Sequence, residues 1–116
     1  AQIGWAMTLA RLQVDQGDLA AAARTLEFSR PAATQNADYL GFSANVLQRL
    51  GQHVEAAALF TQAARLAPAD GRWWLGLGLT LNAQGRNAEA KDAFLRARQG
   101  SNLNPELQDL IDQKLR

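Results

Sequence analysis

Residues 71–98, with the sequence GRWWLGLGLTLNAQGRNAEAKDAFLRAR, contain two apolar segments separated by a turn at Gly85. In both segments apolar or small residues recur at intervals of three and four, as they do along one face of an α-helix. They are Trp74, Leu77, Gly78 and Leu81, then Ala90, Phe94 and Ala97. Two short helices joined by one tight turn pack against each other in antiparallel orientation. The stretch therefore predicts a helical hairpin, with Gly78 and Ala90 at its closest approach.

The same pattern occurs twice more upstream with a period of 34 residues. The recurring columns are the turn glycines Gly17, Gly51 and Gly85, the small residues Ala22, Ala56 and Ala90, the large apolar residues Leu26, Phe60 and Phe94, and the aromatic residues Trp5, Tyr39 and Trp73. A fixed period of this length is typical of stacked helical repeats. We expect the aromatic column to pack between neighbouring repeats, with a stacking ladder for a ligand as the alternative.

These patterns predict a single all-α domain of three helix-turn-helix repeats, at about 3–36, 37–70 and 71–104, followed by a capping helix that departs from the period. The predicted helices span 2–16, 19–29, 37–50, 53–66, 71–84, 87–99 and 105–115, with a connector at 31–36. Asp18, Asn36 and Asn87 are the expected N-caps, and Gly100 is the expected C-cap of the sixth helix. The chain begins inside a helical pattern, so we expect it to be a fragment of a longer protein.

Composition argues against several classes of function. The 116 residues carry a net charge of +1, no cysteine and one histidine, which disfavours nucleic-acid binding and leaves no set of residues for a zinc site or a nucleophile-base pair. His53 is expected at a solvated turn, and Glu55 and Glu89 on outward surfaces. No apolar run is long enough to insert into a membrane. We therefore expect neither an enzyme nor a metal or cofactor site.

The repeats resemble the tetratricopeptide repeat (TPR) family. Repeat three matches the family pattern at Trp74, Leu77, Gly78, Leu81, Gly85, Ala90, Phe94 and Ala97, and repeat two at Leu40, Ala44, Leu47, Gly51, Ala56, Phe60, Ala63 and Pro68. Repeat one is weaker and departs from the pattern at Ala6, Gln13, Ser29 and Thr34. The resemblance implies an α-solenoid whose concave face is lined by the first helix of each repeat.

Carried over residue by residue, the family's groove positions imply a protein or peptide partner bound by Met7, Arg11, Asn45, Gln48, Arg49, Arg72, Leu75, Leu79 and Asn82, with Val14 and Gly41 in the same columns and Phe42 beside them. A peptide with apolar anchors and some negative charge suits this set. The two-carboxylate clamp of chaperone-binding members is not reproduced, because Met7 stands where a lysine is needed. The alternative is a structural role, in which self-association or an upstream repeat covers Trp5 and Leu9; the pattern does not fix the oligomeric state.

A narrower resemblance concerns residues 72–77 (RWWLGL) and the closing helix that opens Asn-Pro-Glu-Leu. These segments are similar to the C-terminal part of bacterial proteins of MSHA-type pilus biogenesis. That resemblance implies an inner-membrane anchor upstream and a periplasmic repeat domain that scaffolds a pilus or secretion assembly. Without it, a cytoplasmic scaffold is expected.

Overall fold

The computed structural model describes residues 2–116 and confirms an all-α solenoid of stacked hairpins. Its helices are α1 (Gln2–Asp15), α2 (Leu19–Ser29), α3 (Ala37–Arg49), α4 (His53–Leu66), α5 (Gly71–Ala83), α6 (Asn87–Arg98) and α7 (Pro105–Leu115). Helices α1 and α2, α3 and α4, and α5 and α6 form the three hairpins, and α7 packs on α6. A short 3-10 turn, Arg30–Ala33, occupies part of the predicted connector. Within residues 2–116 no helix combines the length and apolar character that crossing a bilayer requires.

Each hairpin reverses direction at a glycine in the left-handed conformation. The φ angles are 81° at Gly17, 81° at Gly51 and 77° at Gly85. The residue after each glycine donates its amide to a carbonyl five residues earlier, as Arg86 does to Leu81 at 2.9 Å. Such a bond ends a helix and requires positive φ at the preceding residue, which glycine adopts without a steric penalty. The 34-residue period of the sequence is therefore also the spacing between the turns of successive hairpins.

The starts of α3, α5 and α7 keep the same period. Their side-chain caps are Asn36, Asp70 and Asn104, which accept amide hydrogen bonds at 3.0, 3.1 and 2.9 Å. Helix α7 was expected to depart from the 34-residue pattern, but it begins in phase and occupies the place of the first helix of a fourth repeat. Its Ile111 is only 1 % exposed.

Two predicted caps are wrong. The Gly85 turn places Arg86 at the N-cap of α6, so Asn87 is the first helical residue rather than the cap. Gly100 follows the C-cap residue of α6 and does not have the positive φ of the turn glycines. Its small size has a different use, because a Cβ at this position would lie 2.6 Å from the backbone nitrogen of Gly71.

Aromatic rings pack directly on glycines where helices approach each other. A Cβ would lie 2.2 Å from the Trp73 ring at Gly41, 2.3 Å from the Phe60 ring at Gly76, and 2.6 Å from the Phe94 ring at Gly78. The first two contacts join repeats two and three, and the third closes the α5–α6 hairpin. The predicted close approach at Gly78 is therefore present, with Ala90 fully buried beside it.

The aromatic column packs between repeats at two of its three positions. Tyr39 is 0 % and Trp73 8 % exposed, and the Tyr39 hydroxyl donates to the carbonyl of Leu26 in the preceding repeat. Trp5, for which the described residues include no preceding repeat, is 60 % exposed.

Replacing Gly78 with leucine should lower the free energy of unfolding by about 1–3 kcal/mol, because the added side chain overlaps the Phe94 ring. Urea denaturation followed by circular dichroism measures the change. Gly4→Leu is the matched control, since a Cβ at Gly4 would meet nothing within 4 Å. Equal stability of the Gly78→Leu variant and the unmodified protein would show that the hairpin register is wrong.

Candidate functional site

A pocket of about 240 Å³ lies on the face formed by the first helices. It is lined by Asn45 and Gln48 from α3, by Arg72, Trp73, Leu75, Gly76 and Leu79 from α5, by Leu107 and Leu110 from α7, and by Phe60 from α4. The floor is mostly apolar, and the amides and the guanidinium are its polar groups. We call this pocket, together with the adjoining surfaces of α3 and α1, the concave groove.

The structure distributes the ten predicted partner-binding residues over this groove unevenly. Asn45, Gln48, Arg72, Leu75 and Leu79 line the pocket. Met7 and Phe42 pack against the core of repeat one and are half-buried. Arg11 and Arg49 are exposed, and Asn82 is half-buried in the last turn of α5.

Two positions expected to face outward are instead enclosed. Leu75 is 5 % exposed, so it contributes only to the floor of the pocket. Gly41 is buried beneath the Trp73 ring. Gly41 is enclosed because the Trp73 ring packs directly on its backbone.

Four pocket residues lie outside the predicted set: Trp73, Phe60, Leu107 and Leu110. For the two leucines a signal exists, because Asn104 follows Asp70 by one period and places α7 beside α5. For Trp73 and Phe60 the position in the pocket lining depends on tertiary packing, which no local pattern encodes.

Arg72 is bound by two carboxylates of the protein itself. Its Nε and Nη2 atoms donate to Asp70 at 3.0 and 2.7 Å, and Nη2 also donates to Asp38 at 3.1 Å. The guanidinium carbon lies 4.4 Å from the centroid of the Trp73 ring. With one cation and two anions, this cluster carries a net negative charge.

The cluster shifts the acid-base properties of its members. Burial alone would raise the pKa of the Asp70 carboxyl, but hydrogen bonds from Arg72 and Asn102 outweigh burial and hold the pKa below its ordinary value. The hydrogen bond to Asp70 raises the pKa of Arg72. Both groups are therefore charged at neutral pH, and Asp70 caps α5 as a carboxylate.

The pKa of Asp70 makes its contribution to stability dependent on pH. A carboxyl whose pKa is lowered by folding stabilises the protein above its unfolded pKa of about 4, and this stabilisation is lost as the pH falls through the folded pKa. The difference in unfolding free energy between the protein and Asp70→Asn should thus be largest near neutral pH and shrink below about pH 4. Urea titrations over this range measure it. A difference that does not vary with pH would contradict the assignment.

The indole N–H of Trp73 is the unusual polar group of the pocket. It is buried and has no hydrogen-bond partner within the described part of the chain. An unpaired buried donor destabilises a protein by about 1–3 kcal/mol. The nitrogen atom itself is enclosed by the protein and is not exposed to the pocket.

A larger depression, about 450 Å³, lies on the face formed by the second helices, between α4 and α6. Its floor includes Leu77 and Leu81, and part of its rim is the exposed Arg86–Glu89 ion pair. It contains no aromatic side chain. We regard the concave pocket as the better candidate site because the side chains of Trp73 and Phe60 contribute to its lining.

No cluster of three or more His, Cys, Asp or Glu side chains that could hold a metal ion occurs among residues 2–116. His53 is the first residue of α4, outside the groove, and Glu55 and Glu89 are exposed. The groove offers apolar surface and hydrogen-bonding groups but no arrangement of a nucleophile with a base.

Comparison with known proteins agrees with this architecture. The family model for the tetratricopeptide repeat matches residues 43–105. No curated protein is significantly similar in sequence.

Several solved structures share the fold at low sequence identity. The type III secretion chaperone SycD of Yersinia enterocolitica, in complex with a peptide of the translocator YopD, is 18 % identical with a TM-score of 0.86, and the match covers 97 % of this chain and 88 % of SycD. The TPR2B domain of yeast Sti1, in complex with pHsp70, is 20 % identical with a TM-score of 0.88 and coverages of 98 % and 93 %. The first TPR domain of Spaghetti, bound to the HSP90 peptide SRMEEVD, is 17 % identical with a TM-score of 0.84 and coverages of 97 % and 92 %.

Proposed function

Because the chain belongs to the tetratricopeptide repeat family, we propose that it is a non-catalytic protein-interaction module that binds an extended segment of a partner protein in its concave groove. The observation that carries this proposal is the pocket between α3, α5 and α7, where an apolar floor is combined with the side-chain amides of Asn45 and Gln48. Three structural relatives were solved with bound peptides or partners, which supports the same mode here.

Different groups of the concave groove contact different parts of the bound segment. The pocket is deep enough for one branched aliphatic side chain, held by contact with Leu79, Leu107 and Leu110. Asn45 and Gln48 stand at its rim, where their amides can pair with the backbone of an extended peptide. Recognition of this kind buries apolar surface and satisfies backbone groups, and it involves no covalent chemistry.

Substitution of Leu79 with aspartate should abolish or greatly weaken binding, because it introduces a charge into the apolar pocket. Peptides selected from a random phage-displayed library on the unmodified protein provide the probe. Their affinity for Leu79→Asp should fall by about tenfold or more. Val54→Asp is the matched control, since Val54 is 76 % exposed on α4. Selected peptides that bind both variants equally well would place the site elsewhere.

A second candidate function, structural self-association, is favoured by the exposed end of repeat one. Trp5 and Leu12 are 60 % and 54 % exposed, whereas Tyr39 and Val46, one period later, are 0 % and 1 % exposed. The later pair is covered by the preceding hairpin. The same surface of α1 could be covered by a neighbouring copy or by an upstream repeat.

Self-association predicts a dimer whose population rises with concentration in analytical ultracentrifugation. Trp5→Arg should return it to a monomer, because a charge replaces the largest exposed apolar side chain at that end. Gly4→Arg, at an exposed position of α1, controls for the added charge. A monomer at all accessible concentrations would remove this candidate and leave the groove proposal unaffected.

The finer assignment to pilus assembly rests on the sequence of residues 72–77 and of α7 alone. None of the structural relatives described above is a pilus protein. On this proposal the module would scaffold envelope components on the periplasmic side of the inner membrane; a cytoplasmic scaffold is the alternative.

A further inference from the structure

The concave groove contains two arginines whose charges are not neutralised within the described chain. Among residues 2–116, the arginines that lie within 4 Å of a carboxylate are Arg72, Arg86 and Arg96. Arg11 of α1 and Arg49 of α3 have no such partner. Asp15, one turn after Arg11, is the nearest acid in sequence, and it does not form an ion pair with it.

Arg72 is one of the three arginines at the family's groove positions, but it is poorly placed to receive a carboxylate from a partner. Asp70 and Asp38 already occupy its Nε and Nη2 donors. The Asp38 side chain is 66 % exposed and would repel an incoming anion. The positive potential of the groove therefore comes from Arg11 and Arg49.

These two arginines flank one stripe of α3. The Arg11 guanidinium carbon lies 5.6 Å from the centroid of the Phe42 ring, so stacking holds it over α3. Phe42, Asn45 and Arg49 follow at intervals of three and four residues and share a helix face. Asn45 is exposed and supplies an amide donor between the two cations.

Asn45 also lines the apolar pocket. Its position therefore relates the pocket to Arg49 on the same helix face. Residues one turn apart on a helix have Cβ atoms about 5–6 Å apart. An extended peptide advances about 3.3 Å per residue, and alternate side chains face the same way. An acidic side chain over Asn45 and Arg49 therefore lies two residues from an aliphatic side chain in the pocket.

We infer that Arg11, Asn45 and Arg49 form a carboxylate-binding subsite, and that the partner segment has an aspartate or glutamate two residues from its apolar anchor. This inference rests on the proposed groove function and adds the chemical class of the ligand. It also narrows the acidic preference of the groove from the whole predicted set to Arg11, Asn45 and Arg49.

Synthetic peptides provide the test. The first pair consists of a peptide with Leu-Ser-Glu between Gly-Ser flanks and a peptide with glutamine in place of the glutamate. The second pair has the order of these three residues reversed, so that both chain directions are covered. Each is titrated into the ¹⁵N-labelled protein, and amide shifts are followed by NMR. The glutamate peptide of one direction should bind about fivefold more tightly than its glutamine partner, and the difference should shrink at high salt.

Three variants locate the preference. Arg49→Gln and Arg11→Gln should each reduce it, whereas Arg24→Gln, at an exposed position of α2, should leave it unchanged although it removes the same charge. Amide spectra of the free variants report whether each one folds.

The outcomes separate this inference from the proposed function. If no peptide shifts the amides of Asn45, Gln48 and Leu79, both the groove function and the subsite are wrong. If glutamate and glutamine peptides shift them with equal affinity, or if the preference survives Arg11→Gln and Arg49→Gln, the subsite is wrong and the groove function stands.

Discussion

The contact between the Trp73 ring and the backbone of Gly41 determines the geometry of the central interface. The ring lies so close to α3 that a Cβ at position 41 would be 2.2 Å from it, a separation that side-chain atoms do not reach. Gly76 beneath Phe60 allows a similar approach between α4 and α5. Because the rings are wedged between helices, their edges form the floor of the pocket, and one set of contacts both joins repeats two and three and shapes the site.

Arg72 adds electrostatic contacts to the packing between repeats two and three. It stacks on the Trp73 ring, bonds the Asp70 cap of α5 and reaches Asp38 in the neighbouring repeat. It therefore helps to hold a helix start, an aromatic wedge and a repeat interface together. A guanidinium bonded to two carboxylates contributes little positive potential to the groove.

The sequence predicts most of the fold because its decisive signals are local. A left-handed glycine and a polar cap recur every 34 residues, so the helix boundaries lie within one residue of those in the structure. The site is predicted less completely because exposure at a groove position depends on neighbouring columns. Gly41 is enclosed since the Trp73 ring packs on it, and Leu107 and Leu110 enter the pocket since α7 keeps the repeat phase. Neither effect is visible in the pattern of a single helix.

The two ends of the groove differ in a way that constrains any ligand. At one end α7 contributes apolar side chains, and the pocket lies between α3, α5 and α7. Arg11 and Arg49, which have no carboxylate partner within the described chain, lie on α1 and α3. Packed helices are about 8–10 Å apart, so a segment that contacts α1, α3 and α5 spans about 16–20 Å, or five to six extended residues. On the groove proposal, a segment that contacts both Arg11 and the apolar pocket crosses the first helices, because Arg11 lies on α1 and the pocket lies between α3, α5 and α7.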